Sequence, residues 1–269
     1  MRKILLVCGI IVIMATLKAQ KSDRNPLDLN NNKISIVYLG HSGWAIKTKS
    51  NFLIFDYQEK YDFKWEKQPV KNLLSGYIDP DEIKDYNVFI FTSHEHGDHY
   101  DPLILDWDKK IENITYFFGW DFSSEEKYHC LRNPRSHYKD ETIEVYTINS
   151  KHSGVFESAF LIIIDGIVIY HNGDYKGDYK NDYEYLKSKT EKIDIVFSNS
   201  DPWEKSQYIL QAKYLMKQFA AQYFFPMHNI NKENEYKKFA ILIKDKEVQT
   251  EVYCAEIKGD KFILKIDKN

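Results

Sequence analysis

Residues 94–99 read His-Glu-His-Gly-Asp-His, and they follow directly on a continuous apolar run, Val88–Thr92 (VFIFT). No other feature narrows the possible folds as far. An unbroken run of this kind is the pattern of a strand covered on both faces. Three imidazoles and two carboxylates in six residues suit neither a core nor a solvated face. They must emerge at the end of that strand, on a loop that a rigid sheet holds in place. Neutral imidazole and carboxylate are the donors that zinc-class metals take. Gly97 lets the chain turn sharply enough for residues on both sides of it to face one centre.

The rest of the chain supplies the sheet. Ile34–Leu39, Trp44–Thr48 and Asn51–Phe55 read as strands, the first two joined through Gly40-His41-Ser42-Gly43. Ile143–Ile148, Ala159–Ile164, Ile167–Tyr170, Ile193–Phe197 and Tyr223–Phe225 read likewise, the last stopped by Pro226. Asp165-Gly166 and Gly259-Asp260 each lie between apolar runs, and both are expected to close hairpins. Asp79–Lys84 suits a short helix, and Gln207–Ala221 has the apolar spacing of a helix laid on a sheet. Strands with covering helices make an α/β (α+β) layered sandwich the expected class, with one domain over 33–269.

The chain has 269 residues, with 37 Lys+Arg against 40 Asp+Glu and a net charge of -3. That balance disfavours a nucleic-acid partner, which would call for a basic excess. Met1–Lys3 is positive, Ile4–Leu17 is apolar, and a polar stretch follows Ala19-Gln20. This is the layout of a signal peptide over 1–20, followed by a flexible lead-in over 21–32. The apolar run is short for a membrane span. The expectation is an exported, periplasmic or secreted protein with no stable span in its mature chain, with an N-terminal anchor as the alternative. Cleavage would leave Cys130 and Cys254, which an oxidising compartment would permit to pair.

Six residues cannot close a metal site alone. Three further candidates each sit just beyond a strand: His152 in Lys151-His152-Ser153-Gly154, Asp174 in His171-Asn172-Gly173-Asp174, and His228 in Pro226-Met227-His228-Asn229.

The block His94-Glu95-His96-Gly97-Asp98-His99 resembles the HxHxDH signature of the metallo-β-lactamase fold hydrolases. The later order of His, Gly-Asp and His is similar to that superfamily's remaining motifs. Gly40-His41-Ser42-Gly43, with a strand ending at Asp56, resembles the ascorbate-6-phosphate lactonase-like branch. The resemblance covers roughly residues 34–230. It implies a four-layer αββα sandwich with two divalent metal ions at one edge. His94, His96 and His152 would hold one ion, Asp98, His99 and His228 the other, and Asp174 would bridge them. Zinc is the default, and manganese or iron fits the same donors. Asp98 is also a candidate proton acceptor, His41 a candidate substrate-facing catalytic residue, and Asp56 a carboxylate that orients a ligand histidine. Tyr175 stands where relatives often carry a small hydroxyl residue and is expected to narrow the cleft.

The function implied is hydrolysis of a small ester, lactone or phosphoester by a metal-activated hydroxide. An envelope phosphodiesterase acting on lipid head groups is one alternative, which an apolar rim around the cleft would favour. A metal-binding protein without turnover is the other. The aromatic stretch Tyr116–Phe122 reads as a cleft wall, a partner surface or, as is commoner at that aromatic density, core.

Overall fold

A computed structural model of the chain describes residues 33–60, 70–201, 204–229 and 231–266. The expected signal peptide and lead-in lie outside the described residues. Two seven-stranded sheets form the centre. One contains β1 (Lys33–Gly40), β2 (Gly43–Lys47), β3 (Asn51–Phe55), β4 (Asn87–Thr92), β5 (Ile114–Phe118), β6 (Tyr128–Cys130) and β14 (Lys261–Lys265), in the order β14-β1-β2-β3-β4-β5-β6. The other contains β7 (His137–Lys139), β8 (Ile143–His152), β9 (Val155–Ile164), β10 (Ile167–His171), β11 (Ile195–Asn199), β12 (Tyr223–Met227) and β13 (Glu251–Val252), in the order β13-β12-β11-β10-β9-β8-β7.

Strand periodicity sorts the apolar side chains into layers. In β1, Ile34, Ile36 and Tyr38 point between the sheets, where they join Trp44, Phe91, Phe160, Phe197 and Phe225. Val37 and Leu39 point outward, with Phe52, Ile83, Ile104 and Trp107, beneath α1 (Pro80–Ile83) and the 3-10 segment Pro102–Lys109. On the far side, α2 (Tyr179–Lys187), α3 (Lys205–Phe219) and α4 (Asn234–Ile243) cover Leu161, Tyr170, Val196 and Phe224 of the second sheet. This is the αββα sandwich, built by the described residues around one pair of sheets. Among the described residues, no helix is long and apolar enough to cross a membrane.

Several local expectations change. Gly259-Asp260 does not close a hairpin. Glu251–Val252 pairs parallel with β12 in the second sheet, whereas Lys261–Lys265 pairs antiparallel with β1 in the first. The turn therefore carries the chain from one sheet to the other, pinned by Tyr38 N–H donating to the Asp260 carbonyl at 2.9 Å. Pro226 does not stop β12, which continues to Met227. Pairing with β13 extends only as far as Phe224, so the missing N–H falls where that side of the strand has no paired strand. Tyr116–Phe122 is mostly core, with Tyr116, Phe117, Phe118 and Trp120 all buried.

Candidate metal centre

The candidate residues meet at one edge of the sandwich, and each is delivered by the end of a strand. β4 ends at Thr92, and Ser93–His99 follows it; β8 ends on His152 itself; β10 leads to Asp174, and β12 to His228. Donors from both sheets therefore face one seam. His94 packs 4.7 Å from His96, 4.1 Å from His99 and 5.8 Å from His152, ring centre to ring centre. Asp174 lies among them. Its Oδ1 is 3.0 Å from His228 Nε2 and 3.6 Å from His99 Nε2, and its Oδ2 is 3.5 Å from His152 Nε2. The structure thus brings together all seven residues named from the sequence, and His41 with them. Donor atoms of His94, His96 and Asp98, of His94, His99 and Asp174, and of His41, Asp98, His99 and His228 form three groups whose members all lie within 4.8 Å of one another.

The site's carboxylates and backbone aim the imidazoles. Asp56, left-handed at φ 41 at the end of β3, accepts from Ser93 N–H at 2.7 Å and from Ser93 Oγ at 2.8 Å. Its Oδ2 also lies 2.7 Å from His99 Nδ1. With a proton on Nδ1, His99 directs Nε2 toward Asp174. Ser93 Oγ is 3.0 Å from His94 Nδ1, which turns His94 Nε2 the same way. Both Nε2 atoms are buried without a hydrogen-bond partner among the described residues. Such atoms are costly unless something completes them. Nitrogen and oxygen donors so oriented fit a divalent cation.

Close approach makes this possible. A Cβ on Gly173, at φ +52, would meet Ser93 Cβ at 2.6 Å, and one on Gly119 would meet the Ser93 carbonyl at 1.9 Å. Ser93 is held between the two glycines.

Electrostatics follow from burial and charge. Burial drives His94 well below the usual histidine range and His41 down to about 4, His228 adding to the latter. Burial also opposes charge on His99, but Asp174 and Asp56 outweigh it and raise the ring to about 10. A cation must therefore compete with a proton there. Burial works against ionisation of Asp174, yet His228 and His99 hold it well below the ordinary carboxylate range.

Other residues were not legible as site residues. Asn199, the last residue of β11, donates its Nδ2–H to Asp174 Oδ1 at 2.7 Å. Glu157 is buried on β9, bonded by Ser150 Oγ, with Oε2 3.9 Å from His94 Nδ1; burial pushes its carboxyl up to about 8. A polar residue at the end of an apolar strand (IVFSN) was the available signal for Asn199. His171 proves to be buried, its Nε2 3.0 Å from the Ser42 carbonyl and its ring stacked 5.0 Å from Phe55. Tyr175 corrects an expectation. It is buried under α2 with its hydroxyl donating to Asp182, so it does not narrow the cleft.

The sequence model of a family described as "Beta-lactamase superfamily domain" matches residues 35–228. No curated protein sequence matches the chain. Among solved structures, Igni18, a metallo hydrolase from the archaeon Ignicoccus hospitalis, superposes with a TM-score of 0.60 at 14% identity, over 87% of this chain and 100% of that one. A Parabacteroides distasonis protein assigned to the metal-dependent hydrolases gives 0.56 at 16% identity, over 81% and 92%. CmlA, a diiron β-hydroxylase from Streptomyces venezuelae, gives 0.55 at 11% identity, over 88% of this chain and 55% of that one. At these identities the likeness is one of fold.

Proposed function

Because the chain belongs to the family described as "Beta-lactamase superfamily domain", we propose that it is a metal-dependent hydrolase that cleaves a small ester, lactone or phosphoester at a two-cation centre. The observation that carries this reading is the seam itself. Imidazole and carboxylate donors from two sheets converge around buried, uncompleted Nε2 atoms of His94 and His99.

In this proposal His94, His96 and His152 hold one ion, Asp98, His99 and His228 hold the other, and Asp174 lies between. Bound there, the ions supply an acidified water and charge to stabilise the oxygens on either side of the breaking bond. The chain's own groups do the rest. Asp56 fixes the His99 tautomer, and Asn199 fixes the rotation of Asp174 through Oδ1. Asp98, whose side chain is 37% exposed, faces the solvent side of the site and is the carboxylate placed to take a proton from the attacking water. The lactonase-like branch is supported here only by the Gly40–Gly43 turn and Asp56. A lipid-head-group phosphodiesterase is less well supported, since Tyr116–Phe122 does not supply an apolar rim.

The test is elemental analysis of purified protein followed by a panel of esters, lactones and phosphodiesters. We expect close to two transition-metal ions per chain and turnover of at least one class, with both lost in Asp174→Ala. Full metal content without turnover of any class would leave a binding protein and overturn the hydrolytic reading. Export is proposed from the N-terminal layout, and N-terminal sequencing of the cell-envelope fraction checks it: a start near residue 21 is expected, and a retained Met1 would count against cleavage.

A further inference from the structure

Resting on the metal-dependent reading above, we propose that His41 is itself a metal ligand, giving the Asp98/His99/His228 position five protein donors with Asp174 and suiting it to an ion of higher coordination number than tetrahedral zinc.

The geometry comes first. Of the three donor groups at the seam, the one with four members is His41, Asp98, His99 and His228. His41 Nε2 lies 3.3 Å from Asp98 Oδ2, and Asp174 Oδ1 lies 3.0 Å from His228 Nε2. Two donors that each sit about 2.0–2.1 Å from one ion are roughly 3.0–3.4 Å apart. Both pairs already have that spacing.

The backbone points the same way. His41 (φ 52) and His228 (φ 73) are both left-handed, a region that strains a residue with a Cβ. The tight turn between β1 and β2 would be served by asparagine or glycine. Histidine occupies it instead, locked to the other left-handed histidine. His228 N–H donates to the His41 carbonyl at 3.1 Å, and the Tyr236 hydroxyl donates to the same oxygen at 3.3 Å. The two rings lie 4.1 Å apart, centre to centre. Strain held in place by its surroundings at two adjacent donors is the mark of a functional constraint.

Burial separates a ligand from a substrate-facing residue. The His41 side chain is only 7% exposed, while the Asp98 side chain beside it is 37% exposed. A substrate would meet Asp98 first, and His41 stands behind it. Structural zinc is almost always four-coordinate, and catalytic zinc usually has three protein ligands and a water. Five nitrogen and oxygen donors suit an ion of higher coordination number, such as Mn2+ or Fe2+. The other position, with His94, His96 and His152, keeps the three-histidine pattern of zinc.

The test uses the intact protein loaded with cobalt(II) and reads binding, not turnover. His41→Asn is the variant of choice, because asparagine tolerates the left-handed backbone but is too short to reach the ion. Proton NMR of the cobalt protein shows strongly shifted imidazole N–H signals from ligated histidines. We expect H41N to lose one such signal. Its affinity for one of two ions should fall by on the order of 100-fold or more in chelator competition, above most of the 10–100-fold range of groups that only orient a ligand. Tyr236→Phe, which removes the hydroxyl's bonds to the His41 carbonyl, the Asn229 N–H and the Tyr38 hydroxyl but leaves the His41 ring in place, should keep the full set of signals. An H41N protein with both ions and an unchanged spectrum would overturn the proposal. Should H41N fail to fold, the wild-type spectrum decides, since a His41 ring labelled by selective 15N incorporation either shows the hyperfine shift or does not. The two readings fail separately. Wild-type protein that takes up no cobalt sinks the hydrolase reading, whereas two ions held without His41 sink only this one.

Discussion

Asp56 would act on the proposed metal position without reaching it. Its two oxygens receive three donors, Ser93 N–H, Ser93 Oγ–H and His99 Nδ1–H, so an amide in its place would present a donor to a donor. Asp56→Asn keeps a residue that tolerates φ 41 and should still fold. We expect its metal affinity to fall about 10–100-fold, measured by chelator competition, as for other groups that orient ligating histidines. Unchanged affinity would mean that His99 is positioned by other contacts. At this scale much was legible in the sequence. The seven ligand candidates and Asp56 are polar residues at the ends of apolar strands, and an irregular apolar-to-polar transition survives any detail of folding. Asn199 and Glu157 were not, because their importance lies in which distant side chain they meet. A single buried glutamate on β9 looks in sequence like the exposed position of an alternating strand.

Three elements meet at Ser93: the end of β4, the turn after β5 and the turn after β10. Gly119 and Gly173 let their backbones close on it. Gly119→Ala would place a methyl 1.9 Å from a backbone oxygen that cannot swing aside. Overpacking of this kind costs about 1–3 kcal/mol, and the rigid neighbour puts this case at or above the upper end. Denaturant unfolding should show the loss, together with weakened metal binding, because the same shift moves His94. A variant with wild-type stability would show that the β4 and β5 ends can separate freely. Strands were the most readable elements, since their apolar runs are long and central. α2 and α4 were not read from the sequence. Their buried faces rest on tyrosines and a few aliphatics, such as Tyr183 and Leu186 in α2 and Tyr236, Phe239 and Ile243 in α4. The Gly259-Asp260 turn was misassigned because the same dipeptide serves a hairpin and a crossing between sheets; only the pairing partner distinguishes them.

On the scale of the whole molecule, the candidate ligands at the seam come from both sheets. Cations bound there would tie the halves together. At free metal about 100-fold above Kd, each site contributes about 2.7 kcal/mol to stability. Stripping with a chelator should therefore lower the melting temperature by several degrees, and adding the ion back should restore it. An unchanged melting curve would argue that no cation is held. The two cysteines among the described residues, Cys130 and Cys254, lie at opposite flanks. Cys130 is in β6, while Cys254 follows β13, and Tyr253 beside it packs 5.6 Å from Phe262 of β14. Seven strands put those flanks roughly 28 Å apart, where a disulfide needs Cα atoms within about 7 Å. Both cysteines are free, and both should be alkylated by iodoacetamide in unfolded, unreduced protein; a mass showing a linked pair would contradict the strand order.

β14 lies beside β1, although more than two hundred residues separate them along the chain. During synthesis the opening strand therefore waits with a bare flank until the closing one leaves the ribosome. An unpaired flank of this kind invites pairing with other chains. The nascent protein thus has a built-in interval in which a holding chaperone would protect it, and a nonsense mutation shortly before residue 261 would make that interval permanent.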